Sequence, residues 1–325
     1  MSARSTIEWT DASWTPIRAR RHDIPGHQAL GWHCQHVSEG CRNCYAEALN
    51  KRIGTGLDFK PGNRDLIELF LDEKMLLDPV CWRNPRMIFV CSMTDIFSDF
   101  VKDEWIDRMF AVMALCPRHV FQVLTKRSER MLEYLTSANG KKLGIPQSVA
   151  ERRDHICVEC FNINEQLSDP HIKMFLDKGW IVNRWPLPNV WLGVSCEDQE
   201  TAYTRIPDLL ATPAAVRFVS CEPMLGEIDL RGLFKSCPAH DYEGGFCIQD
   251  CGNWNRLDWV ICGGESGHTA RPMHPAWARS LRDQCASASV PFFMKQMRVD
   301  GKLVKDLERF PAELRIREFP NAAVH

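Results

Sequence analysis

Short continuous apolar runs alternate with amphipathic stretches along most of this chain. MIFVCSMTD (87 to 95), HVFQVLTKR (119 to 127), VWLGVSCED (190 to 198), AVRFVSCEP (215 to 223), DWVICGGES (258 to 266) and VPFFMKQ (290 to 296) are rich in β-formers and close on polar residues. Runs of this kind predict strands of a parallel sheet covered on both faces. Between them, DEWIDRMFAVMALC (103 to 116) sets Trp105, Ile106, Met109, Phe110, Val112 and Met113 at helical spacing, with Asp103 at the N-terminus. SERMLEYL, ETAYTRIPDLLAT and PAWARSLRDQCASA behave similarly, so strand and helix alternate and right-handed crossovers are expected.

An open doubly wound sheet and a (β/α) barrel both satisfy that alternation, and the polar residues separate them. The predicted strands end in Ser92 and Asp95; Thr125, Lys126 and Arg127; Ser195 and Glu197; Ser220 and Glu222; Glu265 and Ser266; Lys295 and Gln296. Six strand ends converging on one polar rim match the barrel face that carries active sites. The expectation is one α/β domain over residues 1–325, a full or partial (β/α) TIM-like barrel. Two long, polar, turn-rich segments interrupt it. They are about 137–188, containing HICVEC, and 232–256, containing GLFKSCPAHDYEGGFCIQDCGNWN, and they read as loop-side insertions.

A formal net charge of -2 over 325 residues argues against a polyanion-coating tail. No stretch approaches the roughly 20 apolar residues of a membrane span, and MSARSTIEWTDASW lacks the apolar core of a secretory signal, so a cytoplasmic protein is expected. In that reducing setting 15 cysteines point to metal or redox chemistry rather than disulfides. Cys91, Cys196, Cys221 and Cys262 fall in or just after apolar runs and read as small buried hydrophobes.

CQHVSEGCRNCY (34 to 45) is different. Cys34, Cys41 and Cys44 stand at C-x6-C-x2-C just before the helix-favouring AEALNKR. A structural zinc site closes with four protein ligands, and His33 or His36 would complete one. Three thiolates alone fit three irons of a [4Fe-4S] cluster whose fourth iron stays open. Spacing leaves these two readings, and that of plain cysteines, side by side.

Other residues carry chemistry less sharply. Gly263 and Gly264 in GGESG permit close approach of a ligand or form a simple turn, with Glu265, Ser266, Arg271 and His274 in the same loop. Lys126, Arg127 and Lys295 suit a phosphate, a carboxylate or a nucleic-acid backbone, or else ion pairs with Glu197, Glu222 and Glu265. Cys237, His240, Cys247 and Cys251 lie close together in the second insertion. A structural zinc there would supply folding free energy, held either by those four or by two of them with Cys157 and Cys160.

IEWTDASWTPIR, GWHCQHVSEGCRNCYAE, CSMTDIFSDFV, FQVLTKRSERM, WPLPNVWLGVSCEDQ, RFVSCEPMLGEIDL, WVICGGESGHTARPMHPAW and PFFMKQM span residues 7 to 297. Together they resemble the phage-associated three-cysteine-motif proteins, which are related to radical S-adenosylmethionine enzymes. The resemblance implies a radical-enzyme-like barrel in which Cys34, Cys41 and Cys44 hold a [4Fe-4S] cluster and the open iron takes S-adenosylmethionine. It also implies a three-Cys-motif partner protein. The chain departs from the usual radical pattern, C-x3-C-x2-C with an aromatic before the last cysteine: its first gap is six residues and Tyr45 follows the last thiol.

Under that reading Ser92 and Asp95 face the cofactor's amino group, although Asp95 equally suits a helix N-cap before FSDFVKDEW. Ser195, Glu197, Gly263, Gly264 and Glu265 would help bind the cofactor, and Lys126, Glu222 and Lys295 are the catalytic candidates. The expected function is an iron-sulfur enzyme that modifies or repairs a nucleic acid or nucleotide. The alternatives are a non-catalytic metal-binding module acting with a partner, or a zinc-dependent hydrolase, against which stands the lack of an H-E-x-x-H motif.

Overall fold

The chain begins its main sheet with β1 (Ala12–Trp14) and then leaves it. Strands β2 (Ile17–Arg21) and β3 (Leu30–Gly31), helix α1 (Tyr45–Ile53) and strand β4 (Ile67–Leu71) follow, the three strands forming a small antiparallel sheet in the order β3-β2-β4. Two single-turn helices, α2 (Glu73–Leu76) and α3 (Asp78–Cys81), lead back to β5 (Met87–Val90). Regular alternation then sets in: α4 (Asp103–Leu115), β6 (Val120–Thr125), α5 (Ser128–Thr136), α6 (Val149–Leu167), β7 (Val190–Ser195), α7 (Gln199–Ala211), β8 (Val216–Cys221), β9 (Trp259–Gly263), α8 (Pro275–Ala288), β10 (Phe292–Val299) and β11 (Lys302–Val304). This computed structural model describes residues 5–24, 30–136, 149–168, 173, 176–177, 185–234, 256–267 and 269–321.

The result is a mixed α/β fold built on an eight-stranded sheet in the order β1-β5-β6-β7-β8-β9-β10-β11. Every pair is parallel except the terminal β10·β11 hairpin. Strand order follows chain order throughout, so the described sheet contains no reversal of the kind that marks a switch point in doubly wound folds. All six strands expected from the apolar runs are present. Three-residue β1 and the small antiparallel sheet gave no comparable signal, because they are too short or too charged for a continuous apolar run.

Alternation of side chains divides the apolar residues of the sheet into two layers. Ile88, Val90, Val123, Leu192, Val194, Val219, Val260 and Met294 face the helices, where α4 contributes Ile106, Met109, Phe110 and Met113. The other layer is aromatic: Trp9, Phe89, Trp191, Phe218, Trp259 and Phe293. The Trp9 indole lies 4.7 Å from Phe89 on β5 and 6.4 Å from Trp259 on β9. Three strands separate β5 from β9, so the sheet bends around one side chain. Gly193 of β7 is needed there, because a Cβ would overlap the Phe218 ring.

The first expected insertion carries regular structure. Helix α6 packs on α4 through buried Ile156, Cys160 and Ile163, and its fully buried Arg152 binds Asp107 at 2.9 Å and Asp103 at 3.1 Å. Asp103 therefore ties helices together, while the N-cap position of α4 falls to Lys102. Among the described residues, no helix is long and apolar enough to cross a membrane.

Candidate functional site

The segment from Cys34 to Cys44 connects β3 to α1 and is fastened to the carboxyl ends of the main strands. After β6, Arg127 donates to the Gln35 carbonyl at 3.1 Å. After β7, Glu197 accepts from the Ser38 hydroxyl at 2.9 Å and fills the space beside Gly40, where a Cβ would overlap its carboxylate. After β9, Glu265 accepts from the Asn43 amide at 2.9 Å, and Arg271 donates to the Glu39 carbonyl at 2.8 Å. Three strand ends thus set the position of one loop.

All three thiols of that loop are partly exposed. Cys34 and Cys44 rest on an apolar cup of Trp32, Ala46, Phe59 and Met93. Burial pushes the Cys34 thiol up to about 12, Asp95 adding to the effect and Arg127 opposing it. Cys44 is also raised by burial, but it holds the N-cap position of α1, where the amides of Glu47 and Ala46 favour a thiolate. Neither neighbouring histidine joins the thiols. His33 is buried against Phe59 and Phe100 and held neutral, its pKa driven down to about 4 by burial and then by Arg64 and Arg127. His36 Nε2 meets Glu47 at 2.9 Å.

Among the described residues, no three His, Cys, Asp or Glu side chains converge on a single-ion site.

Around the loop, the rim residues are joined to one another. Buried Asp95 accepts from Thr125 Oγ1 at 2.8 and 2.9 Å, from the amides of Phe97 and Lys126 at 3.0 Å each, and from Arg127 at 3.1 Å. It caps the turn at Phe97 and links β5 to β6, rather than capping a helix over FSDFVKDEW. Its neighbour Ser92 offers a carbonyl to the Tyr45 hydroxyl at 2.7 Å.

Glu197 is 1% exposed and receives Arg205 at 2.9 Å as well as the ammonium of Lys126. Lys126 also donates to Ser195 Oγ at 2.9 Å, and burial pushes its ammonium down to about 8. Glu222 pairs with Lys295 at 3.0 Å and accepts from Ser220 at 3.2 Å.

A Cβ at Gly263 would overlap the Glu222 carboxylate, so this glycine makes room for a protein side chain. The Gly264 carbonyl accepts from Gln296 at 2.7 Å. Burial alone would raise the Glu265 carboxyl, but Arg271, bound at 2.5 Å, and Asn43 hold it below its ordinary value.

Lys126, Arg127, Arg271 and Lys295 are therefore each neutralised within the protein. That is the ion-pairing reading of the rim, and it brings Lys126, Ser195, Glu197, Glu222 and Lys295 into one connected network. Sequence reasoning missed Arg205, Ser38, Gly40 and Asn43. Arg205 resembles any polar residue of an amphipathic helix, and the loop residues acquire meaning only through partners far along the chain. Beside the loop opens a groove of about 620 Å3 whose lining includes Val37, Lys126, Arg127, Arg130, Arg205 and Asp208.

The second expected metal site, Cys237, His240, Cys247 and Cys251, lies outside the described residues. Cys160 on α6 is buried with its thiol 3.6 Å from the Ala111 carbonyl, a core position, while Cys157 is partly exposed. Cys91, Cys196, Cys221 and Cys262 are buried, as their apolar surroundings predict.

No curated protein and no solved structure is detectably similar to the chain. A family model does match residues 4–309, nearly the whole chain, and the protein accordingly belongs to DUF5131, a family described as of unknown function.

Proposed function

We propose that this protein is a radical S-adenosylmethionine-type iron-sulfur enzyme acting on a nucleic acid or nucleotide, and that it belongs with the phage-associated three-cysteine-motif proteins it resembles. One observation carries the reading: Cys34, Cys41 and Cys44 lie on a single loop held at the carboxyl ends of β6, β7 and β9 by Arg127, Glu197 and Glu265. Carboxyl ends of parallel strands are where α/β folds place their chemistry. We read the sheet itself as the wall of a full or partial (β/α) barrel, a reading supported by its strand order and by the aromatic layer gathered around Trp9.

In this proposal the three thiolates hold a [4Fe-4S] cluster. When bound, such a cluster with an open iron supplies the electron that cleaves S-adenosylmethionine. The chain's own part is positional. Glu197 and Glu265 fix the loop, the apolar cup of Trp32, Phe59 and Met93 backs Cys34 and Cys44, and the polar network from Asp95 to Lys295 would line the face on which substrate lies. In this reading Lys126, Glu222 and Lys295 are the groups of that network that would exchange protons. The zinc alternative would need a fourth protein ligand at this loop, and of the two neighbouring histidines His33 packs on Phe59 and Phe100 while His36 meets Glu47.

Anaerobic purification tests the proposal. A brown protein with about four irons per chain, absorbing near 400 nm, is expected, and with a strong reductant and S-adenosylmethionine it should release 5'-deoxyadenosine. Iron should collapse when any one of Cys34, Cys41 or Cys44 is changed to alanine but survive Cys91→Ala. A fully loaded cluster that yields no 5'-deoxyadenosine would leave the partner-dependent, non-catalytic module as the better account.

A further inference from the structure

Tyr45 immediately follows the last thiol and opens α1. Its hydroxyl donates to the Ser92 carbonyl at 2.7 Å, yet the residue is 48% exposed. The oxygen is turned into the protein, within electrostatic reach of Cys44, Glu222 and Cys34, while the ring remains available to solvent. An exposed aromatic ring usually samples several rotamers. This one is tethered at its far end beside the rim, so a planar partner could stack on it with little additional loss of side-chain entropy.

The surroundings of the ring say what kind of partner fits. Ala48 and Arg52 follow Tyr45 at i+3 and i+7, which puts them on the same helix face, and both are exposed. Arg42, also exposed, precedes it by three residues. Among the described residues neither arginine enters an ion pair, unlike the four rim cations, each of which is neutralised. A ring held by its hydroxyl, with an exposed arginine before it in the chain and another two turns along the same helix face, neither ion-paired among the described residues, is complementary to a flat base that carries a phosphate.

We infer that Tyr45 is a stacking platform for a nucleobase whose phosphate is taken by Arg42 and Arg52. The inference rests on the proposed nucleic-acid or nucleotide substrate and names the groups that would receive it. A free nucleotide and a single strand present the same chemistry to this surface.

Calorimetric titration of the full-length, anaerobically prepared protein with AMP, with adenosine and with single-stranded oligonucleotides of about eight nucleotides tests this. Tyr45→Ala should weaken binding about tenfold or more, whereas Tyr45→Phe, which keeps a ring, should retain most of it. Arg42→Ala and Arg52→Ala should each weaken binding and flatten its salt dependence, by about 0.7 in the log–log slope for a strand.

AMP bound as well as the oligonucleotide identifies a free nucleotide as the source, and binding of the oligonucleotide alone identifies a strand. Adenosine bound as tightly as AMP overturns the role of the arginines. Unchanged affinity in Tyr45→Ala, or no binding of any probe, overturns the platform. Iron measured in the same samples keeps the two proposals apart: full iron without ring-dependent binding sinks only the platform, and ring-dependent binding without iron sinks only the radical assignment.

Discussion

Asn43 and Glu265 are 222 positions apart in sequence, yet the Asn43 amide donates to the Glu265 carboxylate at 2.9 Å. The bond fixes the cysteine loop to the end of β9, and Thr269 reinforces it by donating to Asn43 Oδ1 at 3.2 Å. Glu265 is already satisfied by Arg271, so Asn43 completes a carboxylate that is buried and charged.

This arrangement predicts an order of effects at position 43. Asn43→Ala removes one bond to a charged acceptor and should cost about 1.5–3 kcal/mol. Asn43→Asp should cost more, because it sets a second carboxylate against Glu265. Urea unfolding, combined with limited proteolysis across residues 34–44, checks the order. Equal effects of alanine and aspartate would mean that the loop does not dock at Glu265 in solution.

Gly40 predicts a different kind of failure. It is the close approach of Glu197 that demands glycine here, since a Cβ would overlap the carboxylate. Gly40→Ala must push the loop outward or disturb a fully buried acid, and overpacking of this kind costs about 1–3 kcal/mol. Unfolding of Gly40→Ala measures that cost. Gly62→Ala is the control, because nothing lies within 4 Å of a Cβ there, and it should be neutral or slightly stabilising.

These contacts mark how far the sequence could be read. Apolar runs locate β5 through β10 because a strand buried on both faces needs no partner information to be recognised, and the polar residues closing each run correctly mark one edge of the sheet. Pairing is another matter. Lys126 meets Glu197 and Arg205 meets the same acid only because β6, β7 and α7 come together, and nothing local to LTKR or YTRIPDL encodes that. Gly263 illustrates the limit from the other side: GGES reads as a ligand turn or a simple turn, and the room its first glycine leaves for Glu222 shows only once the strands are paired. The cysteine spacing was visible, but its anchors at Ser38, Gly40 and Asn43 were not.

Stability should depend on pH through His119. The side chain is fully buried, its Nε2 lies 3.1 Å from the Pro79 carbonyl, and burial followed by the Arg118 charge lowers its pKa from 6.5 to about 4. A base with a depressed folded pKa takes its proton more readily in the unfolded chain. The stability is therefore fully present above pH 6.5 and is lost as pH falls from 6.5 towards 4, by roughly 2–3 kcal/mol at most. His119→Gln should be less stable at pH 7.5 but should lose less on acidification over that window than the parent protein. Parallel unfolding curves for the two proteins from pH 7.5 to 4.5 would rule out a neutral buried imidazole at position 119.

Glu197 supports the sharpest comparison, because it serves two cations at once. Lys126 and Arg205 both contact its carboxylate, which is 1% exposed and also accepts from Ser38. Lys126→Met leaves Glu197 with Arg205 as a counter-ion, so the acid remains neutralised and the loss should stay near 1–2 kcal/mol. Glu197→Gln leaves two buried cations facing a neutral amide, and stranding buried charge costs about 3–5 kcal/mol. The charge-removing change of similar size on the acid should therefore be the more damaging by about 2 kcal/mol, and the double variant should recover part of the deficit because one stranded cation is gone. Denaturant unfolding of the two single variants and the double variant decides the matter. Additive losses, or equal costs for the two single changes, would show that Arg205 does not share the carboxylate and that Lys126 alone neutralises the acid that accepts from Ser38.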